Sequence, residues 1–138
     1  MTPTLTALTG FVAWSLLLLV LMEVLRSKLV VTRAVQSNEF RPDNSNLSPF
    51  MGRLARAHAN CVEGLPIFGG LMLIAVVSGR SAVTDPLAYV FLGARILQSL
   101  AHLSSLSVAA VNVRFGFFAL QMGIGVFWAI RLLAGVAA

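Results

Sequence analysis

The sequence predicts an all-α integral membrane protein, a bundle of four transmembrane helices. Composition, run length and charge placement lead there. Of the 138 residues, 58% are hydrophobic and 11% charged, with a mean hydropathy of +0.88. A soluble domain holds roughly 45–50% apolar and about 25% charged residues, and a short chain has too little interior to hide the excess. The apolar residues fall into long runs, not the alternating segments of roughly ten residues that mark a membrane barrel. At about 20 residues per crossing, the length accommodates four spans. An ordinary soluble domain, a disordered tail and a disulfide scaffold are all excluded, since Cys61 is the only cysteine and permits no intrachain disulfide.

The first span is the apolar run over about residues 5–25. No basic residue precedes Arg26, so the run lacks a signal-peptide n-region and reads as a retained helix. Residues 26–48 shift sharply in composition, and the Pro and Asn cluster around Pro42-Asp43-Asn44 makes them a loop. The second helix covers about residues 49–78, capped by Ser48 or Asn46 and followed by Gly79. Pro66 removes a helical N–H and should bend this helix just past Glu63. Asp85-Pro86 opens the third helix, to about residue 108. The fourth covers about 114–135, where Gly125 and Ala129 offer a small face for close packing.

Ten basic residues against five acids give a formal charge of +5. Dispersed through apolar sequence, they suggest membrane topology and anionic ligands, with no nucleic-acid surface. Arg26, Lys28, Arg33, Arg41, Arg53 and Arg56 cluster around the first loop, whereas the turn from Gly79 to Asp85 holds only Arg80. By the positive-inside rule the first loop is expected to be cytoplasmic.

Ionisable groups are rare inside membrane helices, because an unpaired charge costs at least about 2.5–3.5 kcal/mol there. Helix 2 nevertheless carries Arg56, Asn60 and Glu63, and helix 3 carries Arg95, Gln98 and His102. Both sets step by four and three, which places each on one helical face. Glu63 lies about 15 Å below Arg53, and Arg95 about 14 Å from Pro86 on the other side. The antiparallel helices are therefore expected to set Glu63 against Arg95 as a buried ion pair, Asn60 against Gln98, and Arg56 near His102. Arg114 enters from helix 4. Such a pocket, rich in guanidinium donors, suits carboxylates and thiolates, and Glu63 or Asn60 suits an ammonium or peptide N–H. A small, net-negative, zwitterionic peptide fits that description, with the lipid-facing surfaces admitting an apolar second substrate. Glu23, near the cytoplasmic end of helix 1, is expected either to snorkel to the interface or to pair with Arg26, and the His and Cys content builds no structural zinc site.

Arg56-Ala57-His58-Ala59-Asn60-Cys61-Val62-Glu63, followed by Pro66 and Phe68, resembles the helix-2 signature of the MAPEG family, the membrane-associated proteins of eicosanoid and glutathione metabolism. Arg95-Ile96-Leu97-Gln98 and Arg114 resemble its helix-3 and helix-4 positions. The resemblance implies a homotrimer that holds glutathione as co-substrate between subunits, with membrane lipids as surroundings and no metal. It implies glutathione binding by Arg56, Asn60, Glu63, Arg95, Gln98 and His102, with Arg33 reaching in from the first loop. Arg114 matches the arginine that stabilises the thiolate, making it the catalytic candidate of a glutathione transferase or peroxidase acting on a lipophilic electrophile or hydroperoxide. Gly64, His102 and Phe118 stand near positions where many family enzymes have tyrosine, and Ala59 replaces an arginine of some relatives. A non-catalytic lipid-binding relative and a small proton-coupled transporter are the alternatives. A short chain without a retention signal is expected in a bacterial inner membrane in preference to the endoplasmic reticulum.

Overall fold

The computed structural model describes residues 1–136, which form helices joined by short connections and one longer loop, without strands among them. Helix α1 is Pro3–Val31, α2 is Pro49–Val77, α3 is Ser81–Ser104 and α4 is Val108–Val136. Three of them, α1, α2 and α4, are long and apolar enough to cross a membrane. Helix α3 has the length, at 24 residues, but Asp85, Arg95, Gln98, His102 and its serines lower its apolarity. Its placement accounts for that composition: α3 packs against each of the other three. The least apolar helix is the one with the least need to face lipid.

Helix α1 begins at Thr2, whose hydroxyl accepts the Leu5 N–H at 3.1 Å, with Pro3 in the first turn. Such a cap satisfies one of the N–H groups that a helix start leaves open. The helix continues past the apolar run to Val31 and ends where Arg33 takes φ 61°. Its buried stripe is Thr4, Ala7, Phe11, Ser15, Leu18 and Met22, at steps of three and four. Leu16, Leu17, Val20 and Val24 on the remaining faces are exposed, the inverse of a soluble helix.

Helix α2 starts at Ser48, which caps the Met51 N–H at 3.3 Å, and ends at Gly79, whose φ of 70° suits glycine. A π turn over Leu65–Gly69 interrupts it. Pro66 has no N–H to continue the α ladder, and the longer i→i+5 closure carries the chain past that gap.

Helix α3 begins at Ser81, ahead of the expected Asp85-Pro86 start, because Asp85 serves another helix. Its carboxylate accepts the Thr4 N–H at 3.0 Å and the Thr4 hydroxyl, fastening the first turn of α1. Arg80 closes the same end, donating to the Leu132 and Arg131 carbonyls at 2.7 and 3.0 Å. In the bundle centre Phe91 meets Phe11, Phe68 and Trp128, with ring centroids 5.0–5.7 Å apart. Gly125 admits Phe68, since a Cβ there would lie 2.8 Å from its ring.

The loop between α1 and α2 is pinned by one arginine. Arg26 donates to Asn44 Oδ1 and to the Arg41 carbonyl at 3.1 Å, and lies 5.3 Å from the Phe40 ring centre. Asn44, buried at φ 55°, donates to the Met51 carbonyl at 2.9 Å. Glu23 pairs with Arg26 at 3.4 Å.

Candidate functional site

The polar side chains of α2, α3 and α4 converge on one cleft. Asn60, Gln98, His102 and Arg114 line it, together with Val111, Phe115 and Phe118, around a volume of about 290 Å³. Helices α2 and α3 are antiparallel, as the contacts from Asn60 to Gln98 and from Arg53 to Leu103 require.

Arg95 lies behind the cleft and is 0% exposed. Its Nη1 donates to Asn60 Oδ1 at 2.5 Å, and its guanidinium stands 5.3 Å from the Phe11 ring centre. Gly64 makes room for it: a Cβ there would lie 2.8 Å from Arg95 Nη2. Gln98 Nε2 donates to the same Asn60 oxygen at 3.1 Å. Gln121, from α4, donates to Gln98 Oε1 at 2.7 Å and to the Phe117 carbonyl at 3.0 Å. Ser99 donates to the Arg95 carbonyl at 3.1 Å and stands 3.3 Å from Cys61 Sγ.

The expected ion pair between Glu63 and Arg95 is not formed; among the described residues the one ion pair is Glu23 with Arg26. The error is one of helical phase. The face of α2 turned inward is Leu54, Ala57, Cys61, Gly64 and Phe68, all buried, and a step of one residue rotates a side chain by about 100°. Arg56, Asn60 and Glu63 lie on the adjoining face. Asn60, at its edge, reaches α3, while Arg56 and Glu63 are exposed in the single chain. Arg56 lines a second cleft with Arg53 and the loop residues Pro42 to Ser45, Leu47 and Ser48. Arg33 is exposed at the end of α1 and is absent from the lining of the cleft.

The sequence reading missed Gln121, although the signal is present. Arg114, Phe118 and Gln121 step by four and three, the same spacing that marked the other two ladders, with an amide set between Leu120 and Met122.

The polarity of the cleft follows from the hydrogen bonds. Arg114 Nη1 meets His102 Nδ1 at 3.0 Å. A guanidinium can only donate, so Nδ1 accepts and the imidazole carries its proton on Nε2, which is buried without a partner among the described residues. Arg95 Nε and Nη2 are likewise unpartnered. Asn60 Oδ1 takes two donors, which leaves its NH₂ free. The cleft wall therefore presents N–H groups from Asn60 and Arg114, and its ligand must bring acceptors.

An apolar groove adjoins the cleft. It encloses about 640 Å³ between α2 and α4, running from Asn60 and Glu63 along Ile67, Leu71, Met122 and Ala129. Asn60 and Phe118 belong to both walls. Tyr89, the only tyrosine, is exposed and lines neither space.

No curated protein and no solved structure matches the chain. The model of the MAPEG family matches residues 4–134. With nearly the whole length matched, the chain belongs to the MAPEG family.

Proposed function

We propose that this membrane protein binds glutathione in the donor-lined cleft and stabilises its thiolate for reaction with a lipophilic electrophile or hydroperoxide held in the adjoining groove. The observation that carries the reading is the junction itself: a cleft presenting N–H groups shares Asn60 and Phe118 with an apolar groove. A thiol reacts as its thiolate, and glutathione supplies that nucleophile together with carboxylates and peptide carbonyls. The free NH₂ of Asn60 and the Arg114 guanidinium on the cleft wall fit such a ligand.

In this reading Arg114, on the cleft wall, favours the anion. Lowering a thiol from about 8.5 by two units requires about 2.7 kcal/mol of differential stabilisation, within reach of a charge-assisted guanidinium contact in a water-poor site. The thiol proton leaves to water. Asn60 donates to an acceptor on the peptide, while Arg95 and Gln98 hold Asn60 in that orientation. Phe115 and Phe118 exclude water from the sulfur's surroundings.

Assembly as a homotrimer completes the site. Glu63 lies on a membrane-crossing helix and is exposed in the single chain, and leaving it to hydrocarbon is costly. A neighbouring copy covers it, together with Arg56, and brings Arg33 within reach; Glu63 then accepts the ammonium of the peptide. In this assembly α3 crosses the membrane with the other helices, the first loop is cytoplasmic, and the membrane is a bacterial inner membrane.

The test is glutathione binding to detergent-purified wild type and Arg114→Ala, with thiolate absorbance followed against pH. Thiolate near neutral pH in wild type and its loss in the variant support the transferase reading. Binding without thiolate would leave a glutathione-holding protein without thiol activation, and no binding at millimolar glutathione would remove the reading in favour of a lipid-binding role.

A further inference from the structure

We infer that Gln121 is a positioning residue that, through Gln98 and together with Arg95, holds Asn60 as a hydrogen-bond donor to the ligand, so the ligand group beside Asn60 is an acceptor, a carboxylate or a peptide carbonyl. This rests on the glutathione reading above. The Phe117 backbone carbonyl can only accept, so the end of Gln121 that meets it at 3.0 Å is the amide NH₂. The same nitrogen donates to Gln98 at 2.7 Å, and the Gln98 atom it meets is therefore the oxygen. Gln98 then turns its own NH₂ to Asn60 Oδ1 at 3.1 Å. Arg95, which carries donors only, supplies the second N–H to that oxygen. Both acceptor sites of Asn60 are used, and its NH₂ remains for the cleft.

Each link has one permitted polarity, because reversing any of them sets two acceptors or two donors against each other. Gln121 is 0% exposed and lines neither the cleft nor the groove. It acts on the ligand only through Gln98 and Asn60. Without it, Gln98 is free to turn half-way about its last torsion and set its own oxygen against Asn60 Oδ1, so that Arg95 alone holds the Asn60 amide and the N–H offered to the ligand loses its fixed direction. The low dielectric of the bundle strengthens the repulsion between the two oxygens.

The experiment is calorimetric titration of the detergent-purified full chain with glutathione, for wild type, Gln121→Met and Gln121→Glu, between about pH 5 and pH 9. Gln121→Met keeps the volume but has no donor, and is expected to bind about fivefold to tenfold more weakly than wild type at every pH. Gln121→Glu is isosteric. At low pH its carboxyl is protonated, and its one O–H donates to Gln98 while the Phe117 carbonyl loses its side-chain donor, so this variant binds more tightly than Gln121→Met there. As pH rises and the group ionises, the donor is lost and affinity drops below wild type measured at the same pH. A purely structural role for Gln121 moves affinity without that proton dependence. Gln121→Met binding within about twofold of wild type, or Gln121→Glu matching Gln121→Met at low pH, would overturn the inference. Should Gln121→Met fail to fold, the Gln121→Glu pH series decides alone. If wild type binds no glutathione, the functional reading and this inference fall together; if it binds and Gln121 proves indifferent, only the inference falls.

Discussion

Replacing Gly64 by alanine sets two effects of opposite sign on one residue. In a helix interior alanine is favoured over glycine by about 0.5–1 kcal/mol, and φ −78°, ψ −23° at Gly64 suits any residue. The new methyl, however, would lie 2.8 Å from Arg95 Nη2 and 3.4 Å from Phe68. A guanidinium at the surface would swing away at little cost. Arg95 is fully buried, bonded to Asn60 and seated over Phe11, so it must move within a packed core. Losing a hydrogen bond to a charged group costs about 1.5–3 kcal/mol, which outweighs the propensity gain. Gly64→Ala is expected to lose about 1–2 kcal/mol net. Gly70→Ala provides the comparison, since nothing lies within 4 Å of its Cβ position and only the propensity gain of up to about 1 kcal/mol operates. Thermal unfolding in detergent, followed through the fluorescence of buried Trp128, measures both. In an Arg95→Met background the cost of Gly64→Ala should vanish. If Gly64→Ala gains as much stability as Gly70→Ala, the account of Arg95 as rigidly held is wrong.

Asn60→Asp supplies Arg95 with an anionic partner and keeps both acceptor positions. Its melting temperature should rise, by about 1 kcal/mol of stability, while titration shows glutathione affinity reduced by about tenfold or more as the donor NH₂ is replaced by negative charge. Arg26→Ala removes the bonds to Asn44 and Arg41, so limited proteolysis should cut the α1–α2 loop faster while the helical circular dichroism is unchanged. The Ser45 hydroxyl and N–H hold the Asp43 carboxyl below its ordinary 3.8. That turn is therefore favoured above the unfolded value and loses support as pH falls through the lower folded one. In Ser45→Ala, carboxyl NMR should find Asp43 titrating closer to its ordinary value.

Much of the architecture is readable from patterns. Long apolar runs reveal the crossing helices, and Ser48, Pro49 and Gly79 mark the ends of α2 by local chemistry. Steps of four and three bring Asn60, Gln98, His102 and Arg114 to one cleft. Phase was harder to read. On a helix lodged between lipid and protein, both faces tolerate apolar residues, so hydropathy does not say which side is inward. The inward stripe of α2 consists of small residues, Ala57, Cys61 and Gly64, and the conspicuous charges of Arg56 and Glu63 lie beside it. The Asp85 signal is ambiguous for a related reason: an acid near a proline signals a helix start, but a carboxylate can cap a different helix that the fold brings near. Gln121 has the same spacing on α4, but a neutral amide one turn past Phe118 is far less conspicuous than the charge of Arg114.

The π turn at Leu65–Gly69 has a bearing on how this helix tolerates changes in length. A π turn holds one residue more than α geometry needs for the same angular sweep. The stretch containing Asn60 and the stretch containing Met72 are thus each in register with the bundle, with a surplus residue stored between them. Removing Pro66 from this turn lets it close to ordinary α geometry and leaves both stretches facing as before. A one-residue deletion elsewhere in α2 rotates everything beyond it by about 100° and carries Phe68 or Asn60 out of place. The bend beside the site is also the helix's one slack joint, where chain length can change without moving the chemistry.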